Sequence, residues 1–369
     1  MDTGLATIRL AAVSSPRTLP IAVALTGADT LRAEIAAWRA LAARAAEPGP
    51  LRDPDTMLAA LQHLPGGRDV PLLVARRGPE LQAVIPLAPS GRFGLAARDA
   101  RPWRPDPLVA VPPLVTADRT GEVLEALLDG LAARDRRFGR LRFEGLDPDG
   151  PVAAALAALA QRSGRALVRA PGPGRALLRP DDATGAAQAR TRRLGLDPRL
   201  AERGPARMER ARSPRQIRDA VEILLTLDGM AATRARPALV ADPGTASFLR
   251  TATRQLAAQR RLRAEVLWLG DRPAAAALVA IGPGVLALWR AAAEPGPLGA
   301  AAEEALALSL AAGAARQGLD LVDLRAEAPL LAGAVRRPTL ELAVETRPGL
   351  ASSGFRAAIG RRVAALRRA

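Results

Sequence analysis

One local signature occurs twice in the chain and constrains its fold more than any other feature. Asp-Pro-Asp-Thr at 53–56 and Asp-Pro-Gly-Thr at 242–245 each place an N-capping aspartate before a proline, the pattern of a helix start. Each signature is followed by two apolar strand-like runs joined by a glycine turn, at 71–88 and 263–281. The copies lie about 190 positions apart, which indicates an internal duplication of one α+β unit.

The predicted organisation is therefore two tandem α+β domains. A chain of 369 residues is longer than one hydrophobic core usually supports, which agrees with this division. The arginine-rich middle segment is interpreted as a helical linker that is broken at two X-Pro positions. The predicted boundaries are an N-terminal extension at 1–20, a first domain at 21–179, a basic linker at 180–212, a second domain at 213–348 and a basic amphipathic tail at 349–369.

The basic charge is explained better by composition than by a nucleic-acid partner. The net charge is +16, yet all 53 basic residues are arginine, and lysine, asparagine and tyrosine are absent. Those absences are typical of GC-rich coding. Only nine residues are Phe or Trp, which is a poor supply of stacking platforms for bases, so nucleic acid is not expected as a partner. The lack of cysteine excludes disulfides and thiolate chemistry.

The sequence predicts a cytoplasmic protein. No run approaches the roughly 20 apolar residues that span a bilayer, and the N-terminus has an acidic residue and prolines where a signal peptide would not. The tail places apolar residues on one helical face and arginines on the other. It either packs on its own domain or touches an acidic membrane surface peripherally.

The middle of the chain resembles a known family. The stretches RTRRLGLDPRLAERGPARMERARSPRQIRDAVEILLTLD and ADPGTASFLRTATRQLAAQRRLRAEVLWLGDRPAAAALVAI are similar to the CelD-type, FemAB-related group of GNAT proteins. That group consists of two GNAT folds in tandem and is linked to cellulose and exopolysaccharide biosynthesis. The resemblance runs from about Leu31 to Val344 and implies two GNAT-like domains that use acyl-CoA as a co-substrate.

The resemblance also implies an acyl-CoA site in the second half. In GNAT domains the pyrophosphate lies against a glycine-rich turn from a strand into a helix, where backbone N–H groups face the phosphates. A loose match follows the predicted strand that ends near Trp289. It implies cofactor binding by Arg290, Gly296, Gly299 and Ala300. A plain Pro/Gly turn explains the same residues, so both interpretations stay open.

Three carboxylates remain as candidate catalytic residues under the resemblance: Glu294, Asp323 and Asp228. A carboxylate would serve as a base if burial raised its pKa, whereas surface pairing with arginine is the alternative. The family's Trp-Lys-Gly motif is missing, and without tyrosine a tyrosine acid is impossible. His63, the single histidine, has no evident partner and is not a catalytic candidate. No metal is expected.

Three functions follow from these observations. The first is an acyl-CoA-dependent acyltransferase that acts on an amine or hydroxyl, such as one on a small molecule or a saccharide of exopolysaccharide biosynthesis. The second is a degenerate GNAT-like scaffold or binding protein. The third is a FemAB-like aminoacyl transferase that uses charged tRNA, with Arg190, Arg192 and Arg193 of the linker as RNA contacts.

Overall fold

The computed structural model describes residues 19–47, 49, 51–88, 98–105, 108, 113–134, 138–178, 202–319, 321–325 and 335–348. Within these ranges the chain is an α+β fold whose two halves repeat one order of elements. In each half, helices precede an antiparallel strand pair, a third strand, a long helix and a further strand. The predicted fold class and the duplication are thereby confirmed.

The first half contains eight strands and five helices among the described residues. The helical stretch over 28–43 is interrupted at Glu34, which leaves the helical conformation at φ −109° and ψ 26°. The elements are β1 (Ile21–Thr26), α1 (Ala28–Ala33), α2 (Ile35–Ala43), α3 (Pro54–His63), β2 (Leu72–Arg77), β3 (Glu80–Pro86), β4 (Arg98–Ala100), β5 (Leu114–Val115), α4 (Thr120–Arg134), β6 (Phe138–Leu146), α5 (Pro151–Ser163), β7 (Leu167–Pro171) and β8 (Arg175–Leu178).

The second half begins on a strand that the sequence did not predict. Most of the predicted linker, together with the terminal extension up to residue 18 and the tail at 349–369, lies outside the described residues. The elements are β9 (Ala206–Ala211), α6 (Pro214–Met230), α7 (Pro243–Ala258), β10 (Leu262–Leu269), β11 (Arg272–Gly282), β12 (Val285–Ala293), α8 (Pro297–Ala315), β13 (Leu321–Arg325), β14 (Val335–Arg337) and β15 (Leu340–Glu345).

The helical interpretation of the linker is wrong for Ala206–Ala211. These residues form the edge strand β9, which pairs antiparallel with β10. Cross-strand side-chain contacts hold it there: Arg210 Nε lies 2.9 Å from a carboxylate oxygen of Glu265, and the Arg207 guanidinium lies 5.2 Å from the centre of the Trp268 ring. Pairing with a neighbouring strand therefore overrides the helical propensity of the alanines and arginines.

Both repeated signatures start helices in the predicted way. The Asp53 carboxylate accepts a hydrogen bond from the Thr56 backbone N–H at 2.9 Å, at the start of α3. The Asp242 carboxylate accepts the equivalent bond from the Thr245 N–H at 2.8 Å, at the start of α7. Each aspartate satisfies an amide that has no acceptor within its helix, and the following proline needs none.

Two four-stranded sheets form the first half. One has the order β1-β2-β3-β5 and is antiparallel, and the other has the order β4-β6-β15-β7. Leucines of α4 and α5 fill the space against these sheets, with Leu127, Phe143 and Leu156 almost fully buried. The consecutive strands β5 and β6 belong to different sheets, so this half opens into a cleft between them.

A single seven-stranded sheet forms the second half, in the order β14-β8-β13-β12-β11-β10-β9. Helix α8 covers one face through residues such as Leu306 and Leu310, while α6 and α7 cover the other through residues such as Leu224 and Leu249. By length and composition, α8 alone among the described helices could cross a membrane. Its buried face packs on β11 and β12, as expected of a core helix.

The halves exchange strands. β8 precedes the predicted first boundary, yet it pairs with β13 and β14 in the seven-stranded sheet. β15 lies near the C-terminus, yet it sits between β6 and β7 in the first half. The boundaries 21–179 and 213–348 remain a prediction. Two of the three sheets take one strand from the other half, and the sheet β1-β2-β3-β5 takes none.

The regions of α3 and α7 also join the halves, because both aspartates of the first signature contact residues that follow α7. Asp53 pairs with Arg261 at 2.9 Å, and Asp55 accepts a hydrogen bond from the Gln259 side chain at 2.7 Å. At the other end of the contact, the His63 ring shares a hydrogen bond of 3.2 Å with the Thr251 hydroxyl. His63 therefore has the partner that the sequence did not reveal.

Candidate functional site

The predicted turn between β12 and α8 is a tight connection that only glycine permits at two positions. Gly296 has φ +92°, a left-handed conformation that side chains rarely adopt. A Cβ on Gly299 would lie 1.6 Å from the Glu294 carbonyl oxygen, so the first turn of α8 packs directly on the end of β12. The glycines predicted for this site therefore have a structural reason to be glycine.

The N-terminus of α8 presents backbone amides without a capping side chain. Gly296 is the N-cap residue, and no side chain caps the helix. The Ala300 amide bonds the Gly296 carbonyl at 3.2 Å, which leaves the Leu298 and Gly299 amides without an acceptor inside the helix. The first turn carries no acidic residue. This geometry suits an anion, because the amides and the helix dipole both favour negative charge.

The strands on either side of α8 separate beside this turn. β12 and β13 are parallel, but they pair only from Val285 to Ala287 and from Leu321 to Asp323. Beyond that point β12 carries a bulge, because Leu288 pairs with Val279 and Arg290 with Leu278, which leaves Trp289 as the extra residue. The Trp289 ring packs edge-on against Phe248, with ring centres 5.8 Å apart. Bulges of this kind often re-aim side chains beside active sites.

Gly296, Gly299 and Ala300 lie together at the start of α8. The fourth predicted cofactor residue, Arg290, pairs with Leu278, which belongs to the core on the other face of the sheet, under α6 and α7. Arg290 is half-buried. The structure thus produces the strand, turn and helix start that the resemblance implied. Whether these residues bind acyl-CoA remains a prediction.

The three predicted catalytic carboxylates do not come together. Glu294 pairs with Arg203 at 3.1 Å at the far end of β12. Asp323 lies beside Ala287 and pairs with Arg175 at 3.8 Å. Seven positions of extended strand separate Ala287 from Glu294, which corresponds to roughly 20 Å. The two carboxylates therefore cannot act on the same atom of a small substrate.

Asp228 holds the loop that follows α6. Its carboxylate is almost fully buried, accepts a hydrogen bond from the Leu239 amide at 2.6 Å and lies 3.4 Å from the Arg236 guanidinium. Arg236 also acts on Glu303 of α8: burial raises the pKa of Glu303, and the positive charge of Arg236 opposes that rise. These contacts give Asp228 a structural task and connect the loop after α6 to α8.

The sequence missed a second candidate site, which lies in the first half where β5 and β6 separate. This cleft has aromatic walls and several ionic side chains, and its cavity volume is about 60 Å³. The signal available in the sequence was Trp103 within a proline-rich segment. The lining residues are Trp38, Arg52, Met57, Val84, Ile85, Pro86, Pro102, Trp103, Arg104, Pro113, Leu114, Arg142, Phe143 and Glu144. Across the described ranges, no group of three or more acidic or histidine side chains is arranged to hold a metal ion.

A parallel strand pair that splays beside a glycine turn and a helix N-terminus, within a mixed sheet, defines the class as a GNAT-like α+β protein. Comparison with known proteins shows a similarity within the second half of the chain. Residues 189–329 match the family model of the acetyltransferase (GNAT) domain, and this range includes β12, the turn and α8. The predicted resemblance to GNAT proteins is thereby confirmed for this segment. No curated protein matches the sequence.

Solved structures share the fold at low identity. The C-terminal domain of a putative lysylphosphatidylglycerol synthetase from Agrobacterium fabrum is 14% identical, with a TM-score of 0.52 over 85% of this chain and 92% of that one. FemX is 11% identical, with a TM-score of 0.52 over 84% of this chain and 95% of its own. A tandem GNAT protein from the clavulanic acid biosynthesis pathway is 18% identical over 89% of this chain and 99% of its own, with a TM-score of 0.43.

Proposed function

We propose that the protein is an acyl-CoA-dependent acyltransferase that acts on an amine or a hydroxyl group. One observation carries this proposal: the uncapped N-terminus of α8 follows a tight glycine turn inside the segment that matches the GNAT domain model. The Leu298 and Gly299 amides would hold the pyrophosphate of the co-substrate. Acyl-CoA would supply an activated thioester. Its acyl group would pass to the acceptor nitrogen or oxygen as the thioester C–S bond breaks, and the proton that the acceptor loses balances the protonation of the departing thiolate to give free CoA.

Each of the three candidate general bases already has a partner. Glu294 and Asp323 each lie within ion-pair distance of an arginine, and Asp228 holds the Leu239 amide. An amine acceptor needs less help from a base than a hydroxyl, because a neutral amine is already nucleophilic. We infer from the resemblance that the acceptor belongs to exopolysaccharide biosynthesis and that the protein works in the cytoplasm.

The decisive experiment changes charge at the turn without changing its shape. Ala300 is exposed in the first turn of α8, so Ala300→Glu and the uncharged Ala300→Gln both fit there. A glutamate at this position interacts favourably with the helix dipole but repels a pyrophosphate. In calorimetric titrations with acetyl-CoA, we expect Ala300→Glu to weaken binding by roughly tenfold or more and Ala300→Gln to leave it nearly unchanged. The thermal midpoint of Ala300→Glu should not fall.

Two results would contradict the proposal. Equal binding by the two variants would show that the phosphates do not lie at this helix. Absence of acetyl-CoA binding by the unmodified chain at millimolar concentration would favour the degenerate scaffold instead. A salt-sensitive affinity for tRNA, with no affinity for acetyl-CoA, would favour the aminoacyl transferase.

A further inference from the structure

A groove between α6 and α7 is lined by four arginines. Arg215 and Arg218 line it from α6, Arg250 and Arg254 line it from α7, and its cavity volume is about 320 Å³. Within each helix the two arginines are three or four positions apart, which places them on one face of that helix. The fold therefore sets two rows of guanidinium groups along the two walls of one groove.

A bidentate ion pair closes one end of this groove. The Glu222 carboxylate of α6 accepts hydrogen bonds from Nε and from a terminal nitrogen of Arg250 of α7, both at 2.7 Å. In this planar arrangement one carboxylate satisfies one guanidinium. The pair also joins α6 to α7, so it sets the distance between the walls beside the remaining arginines.

The other end of the groove has an excess of positive charge. Arg215 and Arg254 are exposed, and neither forms an ion pair within the described ranges. Arg218 lies 3.5 Å from its neighbour Asp219, but both side chains are more than half exposed, and such a contact contributes little. Composition explains why the chain has many arginines, but not why three of them face one groove with so little negative charge. The floor consists of core residues such as Ile217, and a low-dielectric wall strengthens the field of the charges above it.

We propose that this end of the groove is a binding site for a phosphate group. A carboxylate has two oxygens in one plane, which a single arginine satisfies, as Arg250 does for Glu222. A phosphate monoester has three acceptor oxygens that point in different directions and a charge close to −2, so it accepts hydrogen bonds from both walls at once. Arg215 and Arg218 would donate from α6, and Arg254 would donate from α7. The phosphate belongs either to a soluble small molecule or to a lipid headgroup.

This site is separate from the proposed acyl-CoA site. Helices α6 and α7 cover one face of the seven-stranded sheet, and α8 covers the other. The Leu298 and Gly299 amides at the start of α8 therefore lie across the sheet from the groove. Phosphate binding in the groove does not depend on acyl transfer, and either site would remain if the other failed its test.

The test is a calorimetric titration of the full chain at low ionic strength, because salt screens exposed charges. The probes are inorganic phosphate and malonate at mildly alkaline pH, where both are dianions. We expect phosphate to bind and malonate to bind much more weakly. Arg254→Gln should weaken phosphate binding by roughly three- to tenfold, because it removes a charged donor from one wall. Glu222→Gln should strengthen it, because the charge of Arg250 then has no carboxylate beside it.

Matched variants separate the groove from general effects of charge. Arg68→Gln removes an exposed arginine from the first half, and Asp69→Asn removes an exposed carboxylate beside it, so they change the net charge as the groove variants do. Neither should alter phosphate binding. The loss caused by Arg254→Gln should be the same when it is combined with Ala300→Glu, because Ala300 starts the helix on the other face of the sheet.

Vesicles distinguish the two sources of the phosphate. A lipid headgroup predicts sedimentation with phosphatidic acid vesicles, but not with phosphatidylcholine vesicles, and weaker sedimentation of Arg254→Gln. A soluble ligand predicts binding of inorganic phosphate and no sedimentation with either lipid. The proposal is overturned if phosphate does not bind at tens of millimolar, if malonate binds as well as phosphate, or if Arg254→Gln and Arg68→Gln behave alike. Binding of tRNA without binding of phosphate would instead assign the groove to a nucleic acid.

Discussion

The duplicated helix starts make a quantitative prediction about the contact between the halves. Asp53 caps α3 and is 1% exposed, and its second carboxylate oxygen lies 2.9 Å from Arg261 in the other half. Asp242 caps α7 through the Thr245 backbone and hydroxyl alone. The same four-residue signature therefore has a purely local task in one copy and a local and a long-range task in the other.

Replacing Asp53 by alanine should destabilise the protein considerably more than replacing Asp242. Loss of the cap costs about 1 kcal/mol. Loss of the charged partner of Arg261 adds about 1–2 kcal/mol, toward the low end because water still reaches that arginine. The expected total for Asp53→Ala is roughly 2–3 kcal/mol, and Asp242→Ala should lose the cap contribution only.

Urea unfolding followed by circular dichroism measures both variants. A double-mutant cycle with Arg261→Ala then isolates the contribution of the ion pair, which should appear as a coupling with Asp53 and vanish with Asp242. Equal losses for Asp53→Ala and Asp242→Ala, or additive effects of Asp53→Ala and Arg261→Ala, would refute the reasoning.

Three further predictions concern the second half. Gly299→Ala should lower the free energy of unfolding by roughly 2–4 kcal/mol, because the new Cβ would lie 1.6 Å from the Glu294 carbonyl oxygen. In Gly296→Ala the new Cβ meets no atom, so this variant should lose less stability, through its φ of +92° alone. Equal losses in thermal unfolding would contradict this. Burial raises the pKa of Glu303, so the stability contributed by its protonated form is present below the ordinary glutamate pKa of about 4.3 and is lost as pH rises through the raised value. Glu303→Gln should accordingly be more stable than the unmodified protein at pH 7 and nearly equal at pH 4. The hydrogen bond from Arg250 lowers the pKa of Glu222, so the stability that this carboxylate contributes is present above about pH 4.3 and is lost as pH falls through the lowered value. Glu222→Gln should flatten that part of the pH–stability curve. An unchanged curve would show that the pair contributes nothing to stability.

The parts of the fold that local rules control could be predicted from the sequence. Asp53 and Asp242 cap the helices that their signatures predicted, because an N-cap bond closes within three residues. The glycine turn before α8 could likewise be predicted from the residues next to it in the sequence. β9 was not predicted, because its alanines and arginines favour a helix and only the pairing with β10 makes it a strand.

The candidate sites depend on contacts between distant residues, which a single sequence does not reveal. Glu294 and Asp323 are fewer than 30 positions apart in the chain. They are nevertheless far apart in the sheet, because Glu294 follows the C-terminal end of β12, whereas Asp323 pairs near its N-terminal end. Trp38 and Glu144 are more than a hundred positions apart, and only the separation of β5 from β6 brings them to one cleft.

The strand exchange has a consequence for synthesis on the ribosome. β15 lies between β6 and β7, and its residues Leu342 and Val344 are buried in the core of the first half. The ribosome makes these residues after almost all of the second half. In a nascent chain that contains the complete first half, the sheet β4-β6-β15-β7 therefore lacks its third strand until residue 345 has emerged. By contrast, β8 is synthesised before the other strands of the seven-stranded sheet. The half that is made first is thus the last to close, the reverse of the usual order in which N-terminal domains finish folding first.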